Sequence, residues 1–359
     1  MRKAMFFHML ENLLGALGSC LDAMSAIILS IGLGFSTVPT AYAFLVAGIG
    51  MILTGQVSPA CVPSELIILI NSYSKDKRER SSMILFAGLT VLVLGATGIM
   101  GSIIDFIGPD ILSAIMAGVG IMIFKVSIDL IREQPLPGIV SLISALIVYL
   151  TTGNLIYTVI ICVACATVVW NIFKRDVILA TPKVDLSQDT LSFVRPVFNL
   201  KVLRSTLGVV TLMLGEIISD GSITAQLAGI TPDTNAMGLY IGAGNILNAL
   251  FGGAPVSTII SGTGTAPNAL LSGVFMMLFM TLLLLLKIIP RIKNYIPTQG
   301  LAGFLCVLAT LVVFPGNAAS ALSSSPFVSA VTILVTGFVD PFIGACCGVV
   351  MRFILSLLA

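Results

Sequence analysis

In the stretch VVTLMLGEIISDGSITAQLAG, Glu216 and Asp220 stand four residues apart inside an apolar run, a spacing that places both carboxylates on one face of a helix. An ionised carboxylate at membrane depth is costly, so such a group is protonated, bound to a cation or turned toward a wet cavity. Two of them on one face disfavour the doubly ionised state, which suits a proton relay. The plainer reading is a pair of carboxylates hydrogen-bonded inside a helix bundle. Asp22 and Glu65 are the other acids in apolar segments, and Glu65, in SPACVPSELIILI, also has the option of a membrane surface. Arg352 is the one basic residue placed within a span.

A second polar group lies in YIGAGNILNALFGGAPVSTIISGTGTAPN, residues 240 to 268, which is too rich in Gly, Pro, Ser and Thr for an uninterrupted helix. Backbone leaves its helix within a membrane only where protein or a water-filled cavity satisfies the freed N–H and C=O groups, so this half-span is expected to point at a bound solute. Ser257, Thr258, Ser261, Gly262 and Thr263 are expected to line the pocket from one side, and Ser64 and Glu65 from the other.

These groups need a membrane scaffold, and the composition supplies one. Of the 359 residues 57% are hydrophobic and 9% charged, against roughly a quarter charged in a soluble domain. Apolar runs of about 20 residues recur from end to end. Asp22 interrupts what would be the apolar centre of a signal peptide, so the amino end is expected to be the first span. The cysteines lie almost entirely in apolar runs without accompanying histidines or carboxylates and are expected to pack rather than bind metal. Cys162 and Cys165 form a CxxC, but within a lipid-depth helix. The single histidine, His8, is near the amino end, and no Ser-His pairing falls at membrane depth, which argues against an intramembrane enzyme. The reading calls for no metal, cofactor or nucleic-acid partner. A channel would need no proton-linked carboxylates.

The elements fall into two similar halves. AGIGMILTGQVSPACV, from Ala47, can be laid on AGNILNALFGGAPVST, from Ala243, with Pro59 over Pro255, and ILSAIMAGVGIMIF, from Ile111, on GLAGFLCVLATLVVF, from Gly300. Asp22 and Asp220 precede their copies at similar distances. The first repeat is assigned to 1–174, a polar linker to 175–204 and the second repeat to 205–359. Helices are expected near 12–33, 41–55, 82–102, 111–127, 137–152 and 155–173, with a broken segment at 57–70. The second set is expected near 205–229, 237–252, 268–288, 299–315, 321–338 and 341–358, with a broken segment at 253–266. An odd number of spans per repeat inverts the second copy, so the broken half-spans face each other at mid-membrane, antiparallel. The expected fold is an all-α polytopic membrane protein of about 14 transmembrane segments, a 7+7 inverted repeat with two broken half-helices.

GLYIGAGNILNALFGGAPVSTIISGTGTAPNALLSG together with YIPTQGLAGFLCVLATLVVF resembles the late transmembrane region shared by the nucleobase:cation symporter-2 permeases and the related sulfate permease family. The resemblance covers most of residues 205 to 315 and rests in the first half mainly on SPACVPSEL. It implies core and gate domains and alternating access. Sulfate permeases tend to carry an arginine at the position of Gly262, which is absent here, and nucleobase permeases a glutamate at the position of Ser261. Uracil-type permeases carry a base-binding glutamate followed four residues later by a histidine implicated in proton coupling, and these match Glu216 and Asp220. The resemblance thus implies a proton-coupled nucleobase-like permease, with Glu216 binding solute and Glu216, Asp220 and Asp22 carrying protons. The alternative is an inorganic or organic anion transporter of the sulfate permease type without that family's soluble regulatory domain.

The expected partners are a small solute, protons or sodium, the lipid of a cell (inner) membrane and, as an allowed assembly, a second copy of the chain. All of the 18 Lys and Arg residues except Arg2, Lys3 and Arg352 fall on one side of the expected topology. The positive-inside tendency puts that side in the cytoplasm and both termini outside, whereas the resembling families keep their termini inside.

Overall fold

The computed structural model describes residues 2–173, 191–289, 297–339 and 341–358. In the first half α1 (Arg2–Gly32) and α2 (Thr37–Thr54) lead to a two-residue strand, β1 (Ala60–Cys61), and the short helix α3 (Ser64–Tyr73). Then come α4 (Lys77–Ala96), its continuation α5 (Ile99–Ile107), α6 (Pro109–Glu133), α7 (Pro135–Thr152) and α8 (Leu155–Phe173). The second half repeats the order: α9 (Leu200–Leu227), α10 (Thr234–Ala249), β2 (Ser257–Thr258), a 3-10 turn (Gly262–Thr265), α11 (Ala269–Leu285), α12 (Gln299–Ser324), α13 (Pro326–Phe338) and α14 (Pro341–Leu358). With β1 and α3 taken as one broken span, β2 and its 3-10 turn as another, and α4 joined to α5, each half crosses seven times, the all-α 7+7 inverted repeat. Among the described residues, seven helices (α2, α4, α6, α7, α8, α9 and α12) are long and apolar enough to span a bilayer, and α11, α13 and most of α14 are shorter apolar helices. The chain is a multi-pass membrane protein.

The sequence matches fall where an inverted repeat needs them. Pro59 precedes β1 and Pro255 precedes β2, and each strand follows the second helix of its half. The two strands pair antiparallel, Ala60 with Thr258 and Cys61 with Ser257. Proline breaks the preceding helix because it lacks an N–H and fixes φ, and the freed backbone of one half finds its partner in the other. The halves also interlock: α10 lies along α4, and α11 along α2. The α4–α10 contact is close because it is lined with glycine. A Cβ on Gly88 would fall 2.7 Å from that of Asn245, and one on Gly242 would fall 2.7 Å from the Gly88 carbonyl oxygen.

The apolar interior divides into two bodies. One cluster joins buried residues of α1 to α4 with those of α9 to α11, among them Ile27, Phe44, Met51, Leu66, Met213 and Met280. A second joins α6 to α8 with α12 and beyond, around Ile111, Ile115, Cys162, Phe304 and Leu308. These are the core and the gate, and α5 connects them. The last described residues of the connection between the halves, 191–199, belong with the core: Val194 N–H donates to Leu250 O at 2.7 Å, Val197 N–H donates to Ser82 Oγ at 2.8 Å, and Phe198 packs edge-on against Phe86. Residues 174–190, most of the expected linker, lie outside the described residues.

Several boundaries differ from expectation. α1 starts about ten residues earlier than 12, and the expected helix 82–102 is two helices separated at Gly98, whose φ of 76° takes the chain out of α geometry. The expected stop at 315 and restart at 321 do not occur. α12 runs through Pro315 because a π turn, Leu308–Val313, lies just before it and shifts the hydrogen-bond ladder that the proline would otherwise interrupt. The expected second half-helix is only one 3-10 turn, since Gly-Thr-Gly-Thr ahead of Pro267 has too little helix propensity to extend. Of the cysteines, Cys20, Cys61 and Cys162 are buried as expected, but Cys346 is exposed on α14.

Candidate functional site

α9 carries the carboxylates and is not a plain helix. Its α-helical part ends at Glu216, and Ile217–Gly221 form a π turn before the helix resumes at Ser222. Asp220 therefore follows Glu216 through i→i+5 geometry instead of the α spacing expected from sequence, because the π turn accommodates an extra residue. Glu216 is buried and Asp220 half-buried. Ser219 Oγ lies 2.7 Å from Gly215 O and 2.8 Å from Asp220 Oδ1.

The strand crossover is stitched to this π turn by side chains. Thr258 Oγ1 donates to Glu216 O at 3.0 Å, and Ser58 Oγ, just before β1, donates to Gly221 O at 2.6 Å. Tyr240 Oη on α10 donates to Ser58 O at 2.7 Å. Asn245 and Asn248 on the same helix hold the approach to β2, donating to Val256 O and Ala254 O, each at 2.6 Å. Thr224 Oγ1 donates to Ile259 O at 2.7 Å and accepts from Ser261 N–H at 3.0 Å. Each of these bonds satisfies a backbone group left over by the breaks.

Past β2, Ser261 opens the 3-10 turn, its Oγ accepting from Thr263 N–H at 3.2 Å, lying 2.8 Å from Thr263 Oγ1 and donating to Ser19 Oγ on α1 at 2.9 Å. Gly262 is buried, yet a Cβ built on it meets nothing nearer than Ser19 Oγ at 3.6 Å and Phe304 Cζ at 3.8 Å. Ser19 belongs to the core and Phe304 to the gate, so Gly262 faces the junction of the two bodies. Ser257 and Ser222 are fully buried, and their hydroxyls have no hydrogen-bond partner among the described residues.

Of the residues singled out from sequence, Glu216, Ser257, Thr258, Ser261, Gly262 and Thr263 are gathered around the crossover, with Asp220 in the adjoining π turn. Ser64 and Glu65 are the first two residues of α3, and Asp22 sits in α1, but the side chains of these three lie outside the described residues. Sequence reasoning missed Ser19, Ser58, Thr224, Tyr240, Asn245 and Phe304. Asn245 alone carried a signal, a primary amide in an apolar helix just ahead of the break.

No protein-family model matches the sequence, and no curated protein is significantly similar to it. Solved structures do match. The transmembrane domain of a cyanobacterial bicarbonate transporter, BicA, superposes with a TM-score of 0.58 at 16% identity, covering 95% of this chain and 98% of that one. The overall structure of SLC26A9 gives a TM-score of 0.63 at 13% identity over 98% of this chain and 65% of that one. The murine solute carrier 26 family member A9 anion transporter, in its inward-facing state, gives 0.59 at 15% over 97% and 68%. The fold is theirs. The chain spans about two thirds of the length of the solute carrier chains and nearly all of the BicA membrane domain. In this inverted-repeat transporter fold, discontinuous spans meet at mid-membrane and the helix after each break turns its N-terminal end toward the centre. Here, among the described residues, the first break is followed by α3, ten residues long, and the second by a 3-10 turn that offers hydroxyls and backbone around Ser261 to Thr263.

Proposed function

We propose that the chain is a secondary active transporter that carries a small anion, together with a proton or a sodium ion, by displacement of the core against the gate. The observation that carries this reading is the antiparallel β1–β2 crossover, whose surroundings collect α3's N-terminal end, the hydroxyls of Ser257, Ser261 and Thr263, and the buried Glu216. An anion is favoured at the N-terminus of a helix such as α3. A buried carboxylate beside it would repel that anion unless neutralised, and a co-transported cation or proton does so, which couples the two fluxes. The solved transporters sharing the fold, a bicarbonate transporter and an anion transporter by name, support the anion over a nucleobase.

Proton coupling draws support from Ser219. Its hydroxyl has one hydrogen, and the Gly215 carbonyl can only accept, so both short contacts of Ser219 Oγ are full hydrogen bonds when Asp220 donates a proton of its own. The nucleobase reading is retained as second for one reason: Glu216 is buried with no arginine at Gly262, an arrangement that suits ring N–H donors.

A proton-linked anion transporter of this kind would use residues 1–174 and 205–359 as its two repeats. The basic residues at the ends of α3, α6 and α11 and the starts of α4 and α9 would face the cytoplasm, with the termini opposite. Arg352, an exception along with Arg2 and Lys3, pairs with Asp110 at 2.6 Å at the start of α6, on the terminal side.

A thermal-shift series on the purified protein, with bicarbonate, sulfate, chloride and small carboxylates set against uracil and xanthine, tests the substrate class. Stabilisation by an anion alone supports the main reading. Stabilisation by a nucleobase alone replaces it with the second.

A further inference from the structure

Among the places where the core and the gate touch is a seam between α1 and α8, and this seam is closed at its terminal-side edge. Seven crossings separate the start of α1 from the end of α8, so both helices begin on the same side of the membrane. There, Tyr157 Oη in the first turn of α8 donates to Glu11 Oε1 on α1 at 2.8 Å. Both partners are anchored in their own bodies. Next to Glu11, Asn12 Oδ1 accepts from Asn268 N–H at 2.9 Å, and Asn12 O accepts from Ser272 Oγ at 2.8 Å, which fixes this turn of α1 to α11. On the other side Asn154 caps α8, its Oδ1 accepting from Ile156 N–H at 2.8 Å and Tyr157 N–H at 3.3 Å.

Deeper in the seam the helices approach through glycine. A Cβ on Gly15 would lie 3.4 Å from Ile156 Cδ1, and one on Gly18 would lie 2.5 Å from Val159 Cγ1 and 3.7 Å from Val159 Cβ. At the bottom Gly262 faces Phe304. Contact is therefore continuous from the surface to the candidate site. His8, the only histidine, is exposed one turn above, with Nδ1 3.7 Å from Glu11 Oε2.

We infer that the Glu11–Tyr157 hydrogen bond is a latch holding core and gate together on the terminal side, so that it must break whenever the site opens to that side. The bond joins two rigid bodies at the mouth of the route that leads from the site along this seam, and beneath it Ile156 and Val159 of α8 sit against Gly15 and Gly18 of α1. The inference rests on the transport reading above, in which the two bodies move relative to each other.

The seam geometry supplies the test. A separation of 3.7 Å between Cβ positions is that of a disulfide, and replacing Val159 by the smaller cysteine removes the methyl that a Gly18 side chain would meet. The double variant Gly18→Cys/Val159→Cys in membranes should crosslink rapidly under mild oxidation. Adding Tyr157→Phe, which removes one oxygen atom, should shift the closed-to-open equilibrium about tenfold toward open, the ratio that one charge-assisted hydrogen bond makes in a two-state equilibrium, and so slow crosslinking measurably. Glu11→Gln, which keeps an acceptor and loses the charge, should fall between. Equal rates with and without the Tyr157 hydroxyl would overturn the latch, and failure of the double variant to crosslink would overturn the closed seam. Crosslinking needs no transport, so uptake by the unmodified protein separates failure of the latch from failure of the transport reading.

Discussion

The side chain of Asn245 makes both hydrogen bonds that a neighbouring strand would offer Val256. Its Nδ2 donates to the Val256 carbonyl at 2.6 Å and its Oδ1 accepts from the Val256 N–H at 2.9 Å, while Nδ2 also reaches Ile241 O at 3.0 Å. All of this is fully buried. One amide thus replaces, at membrane depth, the helical bonds that Pro255 prevents.

Asn245→Leu preserves volume and removes those partners. With two backbone groups left unsatisfied, each worth about 1–3 kcal/mol, the protein should lose at least about 2 kcal/mol of stability. Thermal unfolding in detergent reads the change, and an unaltered midpoint would show that Asn245 does not hold the break.

Gly303 and Gly316 lie on the same helix and should respond in opposite ways to alanine. A Cβ on Gly303 would fall 2.1 Å from the Ser141 carbonyl oxygen, whereas one on Gly316 meets nothing within 4 Å. Gly303→Ala must push α12 off α7, costing about 1–3 kcal/mol. Gly316→Ala should be neutral or stabilising by up to about 1 kcal/mol, from helix propensity. Equal midpoints for the two variants would contradict the packing of α12.

At Gly262 the contrast is between folding and binding. A Cβ there makes only ordinary contacts with Ser19 and Phe304, so Gly262→Ala should unfold with the unmodified protein. Gly262→Leu would project into the junction of core and gate and should weaken solute binding at least about tenfold at similar stability. Binding by the leucine variant at unmodified affinity, measured by isothermal titration, would move the solute elsewhere.

Much of this architecture is readable in residues with backbone consequences. Pro59 and Pro255, each among Gly and small residues, mark both crossover strands and hence the register of the two halves. The same reasoning fails at Pro315, because a π turn upstream absorbs the break, and nothing in LATLVV announces one. The single 3-10 turn at Gly262–Thr265 is foreseeable from its two glycines, whereas analogy between the halves predicts a half-helix there. Glu216 is legible as an acid among apolar residues. Ser19, Thr224 and Phe304 are not, because their roles come from partners on other elements, from 35 residues away for Thr224 and Ile259 to 242 for Ser19 and Ser261. Glu11 and Tyr157, 146 residues apart, are of the same kind.

Coupled transport through Glu216 is the central claim, and accumulation in proteoliposomes tests it most directly. With an inward proton or sodium gradient, vesicles holding the unmodified protein should concentrate labelled anion above its equilibrium level. Vesicles holding Glu216→Gln, similar in size but unable to titrate, should exchange anion down its gradient and fail to concentrate it. Gradient-driven accumulation by Glu216→Gln at the unmodified rate would contradict the account and leave Glu216 a structural hydrogen-bonding group.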